Sequence, residues 1–179
     1  MKLFFNLKAW QAFIFVGLLF IVPMFSPFIA VLYDMEIFAI MRWSIPLWLL
    51  SYIGYIFSFG YFLGKLSGRN HGLSYYLFTG LAVYSMIFSL LISFFITGGD
   101  IFGLPKNEVF QYIFPFQIIA MIGNIYLMRY SAQLLNSVEK EIDAKTVTYL
   151  GDFFLFWFLP IGVWSLQPRA AALYKKHTS

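Results

Sequence analysis

The chain contains no cysteine, so disulfides, thiolate nucleophiles and cysteine-ligated metals are excluded. Histidine is nearly absent. His71 and His177 are the two, and they stand at no metal-ligand spacing. Charge is scarce as well, at 11% of residues, against about 25% in an ordinary globular domain. No Gly-x-Ser-x-Gly elbow, phosphate-binding loop or dinucleotide fingerprint occurs. With no catalytic cluster in sight, the sequence reads as non-enzymatic and as calling for no cofactor.

What fills the chain instead is apolar. Hydrophobic residues make up 61% and aromatics 22% of 179 residues. They gather into four long runs, Trp10–Tyr33, Trp43–Leu63, Leu73–Thr97 and Val109–Met128, the last extended as helix to about Ser131. Each is at least 20 residues long. Twenty helical residues span about 30 Å, the thickness of a bilayer's hydrocarbon core. A fifth run, Phe153–Leu166, is shorter, reaching about 21 Å as a helix, and Pro160 and Gly162 interrupt it. The expected fold is therefore an all-α integral membrane protein forming one domain over residues 1–179. It has four transmembrane helices and a C-terminal re-entrant or interfacial segment within 149–166. Five complete spans are the alternative.

Pro23 and Pro27 predict a kink in the first run, or its end near Pro27. The acidic turn Asp34–Glu36 follows, and Gly98, Gly99, Gly103 and Pro105 mark the loop after the third run. Residues Ser131–Lys145 read as an extension of the fourth helix into water. Their Glu139, Lys140, Glu141, Asp143 and Lys145 then form a solvated face.

Basic residues set the orientation. With the N-terminus in the cytoplasm, seven lie in inner segments and two, Arg42 and Lys106, in outer loops. A re-entrant fifth run adds Arg169, Lys175 and Lys176 to the inner side. A full fifth span would move them outside. The net charge of +4 thus belongs to the membrane surface, not to a nucleic acid.

Small and polar residues inside the runs mark the candidate contacts. Gly60-x-x-x-Gly64 offers a face for close helix approach, within one subunit or in a dimer seam. Ser85, Ser89 and Ser93 repeat every four residues. They form a packing stripe with hydroxyls bonded to their own backbone, or line a channel. Gln117, Asn124 and Ser131 are seven apart and share a side. At membrane depth their polar groups need partners, either neighbouring helices or a polar path. Asp152 is the acid nearest an apolar run. It is read as the N-cap of the last helix, with a proton or cation site as the sharper alternative. Gln117, Asn124, Ser131 and Asp152 together are the candidate polar interior.

Two segments carry a resemblance. Leu7-Lys8-Ala9-Trp10-Gln11-Ala12-Phe13 follows the pattern Leu-Lys-x-Trp-Gln. Gly151–Arg169 follows Asp-Phe-Phe-Leu-x-Trp-Phe-x-Pro-Ile-Gly-x-Trp-x-x-Gln-Pro-Arg. Both resemble an uncharacterised family of small polytopic bacterial membrane proteins. The resemblance implies a bacterial inner-membrane protein of about this size and supplies no activity. The expected partners are the lipid bilayer and a membrane-protein partner or a second copy. The leading expectation is a non-enzymatic subunit or accessory protein acting through helix packing. A small transporter or channel with a polar interior is the alternative.

The basic bias makes a testable prediction: a reporter fused after Ser179 will report from the cytoplasm. A signal from the outer side would make Phe153–Leu166 a true span.

Overall fold

The computed structural model describes residues 5–33, 37–69, 71–96, 106–142 and 149–178. These are helical with no strand among them. Helix α1 (Ala9–Phe13) runs through a wider π-helical turn (Ile14–Leu18) into α2 (Leu19–Tyr33). Then follow α3 (Ile37–Leu66), α4 (Leu73–Ile96), α5 (Lys106–Ile142), α6 (Tyr149–Trp157) and α7 (Leu159–Thr178). The turns expected at Asp34–Glu36 and around Gly98–Pro105, and Asp143, lie outside the described residues.

Among the described residues, three stretches are long and apolar enough to cross a membrane: Ser44–Leu66, Leu73–Ile92 and Gln111–Glu141. The first apolar segment, Ala9–Phe25, is shorter by the same measure. The backbone stays helical through Pro23 and Pro27, so the helix does not stop near Pro27 as the alternative expectation had it. The irregularity comes earlier, in the π-helical turn. There a Cβ on Gly17 would lie 2.5 Å from the Phe13 ring. At 37 residues, α5 reaches about 55 Å, well beyond a 30 Å hydrocarbon core. Its last turns extend the fourth apolar run as helix, as its charged composition predicted.

Helix α3 is the centre of the molecule, packed on α2, α4 and α5. Ile53, Ile56, Phe59 and Leu63 recur at helical spacing along its inner face and are fully buried. They meet Phe78 of α4, Leu127 and Leu135 of α5, and Phe156 of α6. The Phe59 and Phe156 rings meet edge to face at 5.1 Å. Between apolar helices in lipid, close packing and interhelical hydrogen bonds supply the attraction. Gly60 provides for both. A Cβ there would fall 2.5 Å from the Phe78 ring and 2.7 Å from Ser131 Oγ. The same Ser131 hydroxyl donates to the Ile56 carbonyl at 3.2 Å. Gly64 makes only ordinary contact, with Leu134 at 3.7 Å from a built Cβ. The Gly60 face is thus occupied within one subunit.

On α4, Ser85 and Ser89 are buried, and Ser89 Oγ donates to the Ser85 carbonyl one turn back at 2.7 Å. The side chain of Ser93 lies outside the described residues.

The fifth apolar run is not one helix. Helix α6 ends at Trp157, the chain turns at Phe158, and α7 starts at Leu159. Gly162 makes that turn possible. Its missing Cβ would sit 1.9 Å from the Leu155 carbonyl oxygen. The obstruction is backbone and cannot rotate away. Gly162→Ala is therefore expected to destabilise by about 1–3 kcal/mol or more. Gly54→Ala meets nothing within 4 Å and should stabilise by about 0.5–1 kcal/mol. Unfolding of both variants in detergent checks this contrast, and equal effects would refute it.

Candidate functional site

The turn between α6 and α7 folds a helical hairpin back on itself. Its consequence is a charge cluster. Asp152 and Arg169 are 17 residues apart, which a straight helix would separate by about 25 Å. In the hairpin they form a two-pronged ion pair, Nη1 to Oδ1 at 2.5 Å and Nη2 to Oδ2 at 3.0 Å. Glu139 of α5 takes the other edge of the same guanidinium. Nε donates to Oε1 at 2.7 Å and Nη2 to Oε2 at 2.6 Å. Two parallel N–H to oxygen bonds on each carboxylate match the planar fork of arginine. The Asp152 side chain is 1% exposed, Glu139 16% and Arg169 22%. Burial alone would work against the charge of Arg169. Hydrogen bonds and attraction from Glu139 and Asp152 outweigh it and hold the guanidinium above its ordinary pKa.

This arrangement corrects two expectations. Asp152 is not an N-cap: α6 starts three residues earlier, at Tyr149, and the carboxylate points to Arg169. Glu139 is not on a solvated face, because α7 packs over it. The neighbouring pair Arg69–Glu141, at 3.3 Å, is exposed on both sides and adds little.

Two further contacts fix the hairpin. Pro160 has no N–H, so the Phe156 carbonyl loses its helical donor. The Tyr52 hydroxyl of α3 donates to that oxygen instead, at 3.0 Å. On α7, buried Gln167 reaches two elements at once. Its Oε1 accepts from the Tyr55 hydroxyl at 3.0 Å, and its Nε2 donates to the Leu7 carbonyl at 3.3 Å. Leu7 and Gln167 belong to the two segments that carry the family resemblance. Their rings meet too, Phe13 with Trp164 at 5.6 Å. At the start of α1, Gln11 Oε1 accepts the Lys8 N–H at 2.8 Å and caps the helix.

The four residues expected to form one polar interior are therefore dispersed. Ser131 lies in the α3–α5 seam and Asp152 in the ion cluster. Gln117 Oε1 and Asn124 Oδ1, farther along α5, are buried without a hydrogen-bond partner among the described residues. The residues that sequence reasoning missed are Arg169, Glu139, Tyr52, Tyr55 and Gln167. A signal existed for one of them, Arg169. An acid before an apolar break and an arginine at similar distance beyond it will meet if the chain reverses there. Among the described residues, no group of three or more His, Cys, Asp or Glu could hold a metal ion.

Taken together, these features define an all-helical protein with membrane-length helices, whose C-terminal hairpin is fastened by a buried ion cluster. No family model, no curated protein and no solved structure matches the chain.

The cluster predicts a response unlike a cap's. Arg169→Met leaves the buried Asp152 carboxylate and the half-buried Glu139 carboxylate without their counter-charge and should cost about 2–4 kcal/mol. Asp152→Asn, which a cap would tolerate, should also destabilise. Arg169→Lys should not restore stability, because a single ammonium cannot fork to both partners. Thermal unfolding in mild detergent tests all three. Wild-type stability in Asp152→Asn would refute the ion-pair role.

Proposed function

We propose that this is a multi-pass protein of a bacterial cytoplasmic membrane, with its N-terminus in the cytoplasm. It acts without chemistry of its own, as a subunit or accessory protein that presents its C-terminal hairpin to a membrane partner. The observation that carries this reading is the double grip on Arg169, which ties α5, α6 and α7 into one rigid unit. A segment that only filled lipid would need no such fixing. At nine residues α6 reaches about 14 Å, which favours a re-entrant hairpin over a fifth span. Its outer surface carries Phe154, Trp157, Phe158, Ile161 and Trp164, all exposed. The Gly60 face is already filled by Phe78 and Ser131, so it is not the surface offered to a partner. In this reading α1 and α2 supply the first of four crossings.

A photo-crosslinking residue at Ile161 should capture a discrete protein partner in native membranes. The same group at Ile87, on an exposed face of α4, should not. Arg169→Met should abolish the adduct while the protein remains in the membrane. Absence of any protein adduct at Ile161 would overturn the reading. A small transporter or channel is the second reading, favoured by the buried oxygens of Gln117 and Asn124. Solute flux into proteoliposomes holding only this protein would move it to first place.

A further inference from the structure

A groove of about 520 Å³ opens between α2, α3, α5 and the tip of the hairpin. That size falls in the range of roughly 300–1,000 Å³ typical of ligand sites. Its walls are apolar and aromatic, with Phe20, Leu49, Met128, Phe158 and Ile161 among them, and no charged residue lines it among the described residues. Two of the residues that line it, Trp48 and Asn124, each carry an unusual polar atom. Trp48 Nε1 and Asn124 Oδ1 are both buried, and neither has a hydrogen-bond partner among the described residues. Trp48 is held by ring contacts with Phe20 at 5.2 Å and Tyr52 at 6.1 Å. Its N–H is therefore a placed donor.

Both residues lie within membrane-length helices, Trp48 in Ser44–Leu66 and Asn124 in Gln111–Glu141. An unmatched polar atom at that depth costs several kcal/mol. Water answers this need poorly, because it requires two to four polar partners and apolar cavities stay dry. A charged lipid headgroup is disfavoured too, since no opposite charge lines the groove. A hydroxyl or an amide fits, because each can accept from an indole N–H and donate to a carbonyl oxygen.

We infer that this groove binds a neutral lipid, whose hydroxyl or amide pairs with Trp48 and Asn124 while its chain lies against Leu49, Met128 and the hairpin tip. The inference rests on the membrane reading above and not on the hairpin having a protein partner. Because Phe158 and Ile161 form part of the wall, the bound lipid packs directly on the tip of the re-entrant hairpin.

The test uses the full chain in phosphatidylcholine nanodiscs, doped with trace photoreactive diacylglycerol or photoreactive prenol. At least one of these probes should label peptides carrying Trp48, Asn124 or Ile161. Excess of the same unlabelled lipid should compete it away, a measurement that needs no variant. Trp48→Phe and Asn124→Leu should each lower the labelling by roughly three- to tenfold, the worth of one lost hydrogen bond. Photoreactive phosphatidylcholine is the control. It should label exposed faces such as Ile87 and Ile122 instead. If it labels those faces while neither neutral probe gives competable labelling of the groove, the lipid site is overturned. Equal labelling of the groove by phosphatidylcholine overturns it as well. If no probe labels any face, the membrane reading itself fails.

Discussion

Three charged side chains meet where α5, α6 and α7 come together, and the placement of the C-terminal third depends on them. Arg169 commits four N–H bonds to Asp152 and Glu139, in two parallel pairs. Taking such charges out of water costs several kcal/mol per ion. The fork geometry offsets that cost only because both carboxylates are met in plane and at short distance. The cluster is therefore a device of specificity more than of net stability. An apolar contact would tolerate sliding of α7 along α6 by a turn, whereas a doubly forked guanidinium fits in one register only.

Once that register is set, the rest of the hairpin becomes intelligible. Pro160 breaks the helix and frees the Phe156 carbonyl, and Tyr52 of α3 satisfies it. Gly162 lets the Leu155 carbonyl pass where any side chain would collide. Gln167 fastens α7 to Tyr55 and to the backbone at Leu7, so the N-terminal segment docks on the same unit. The C-terminal pattern is thus a set of separate structural tasks: ion pair, break, close approach and anchor.

Elsewhere the interior handles its polar atoms in two ways. Ser89 and Thr79 donate to carbonyls one turn back in their own helix, and Ser131 donates across to α3. Such bonds make the helices internally complete and leave little for a ligand to read. Trp48 and Asn124, which line a groove, and Ser44, Ser85 and Gln117, which do not line it, each keep a buried polar atom unmatched among the described residues.

Much of the fold was legible in one dimension, because length and hydropathy are local properties. Apolar runs of 20 residues or more implied helices of membrane length, and Pro160 with Gly162 implied a break in the last run. The site was less legible. Asp152 read as a cap because its nearest neighbours are apolar, while its true partner, Arg169, lies 17 residues away on another helix. Glu139 read as solvated because its sequence neighbours are charged, although α7 covers it. The sequence by itself determined that the chain is helical, apolar and free of thiols, since composition and periodicity carry that information. Only the tertiary structure decided which charges meet and which polar atoms stay unmatched. Those depend on the direction in which α7 turns back, and a chain reversal brings together residues that no local pattern connects.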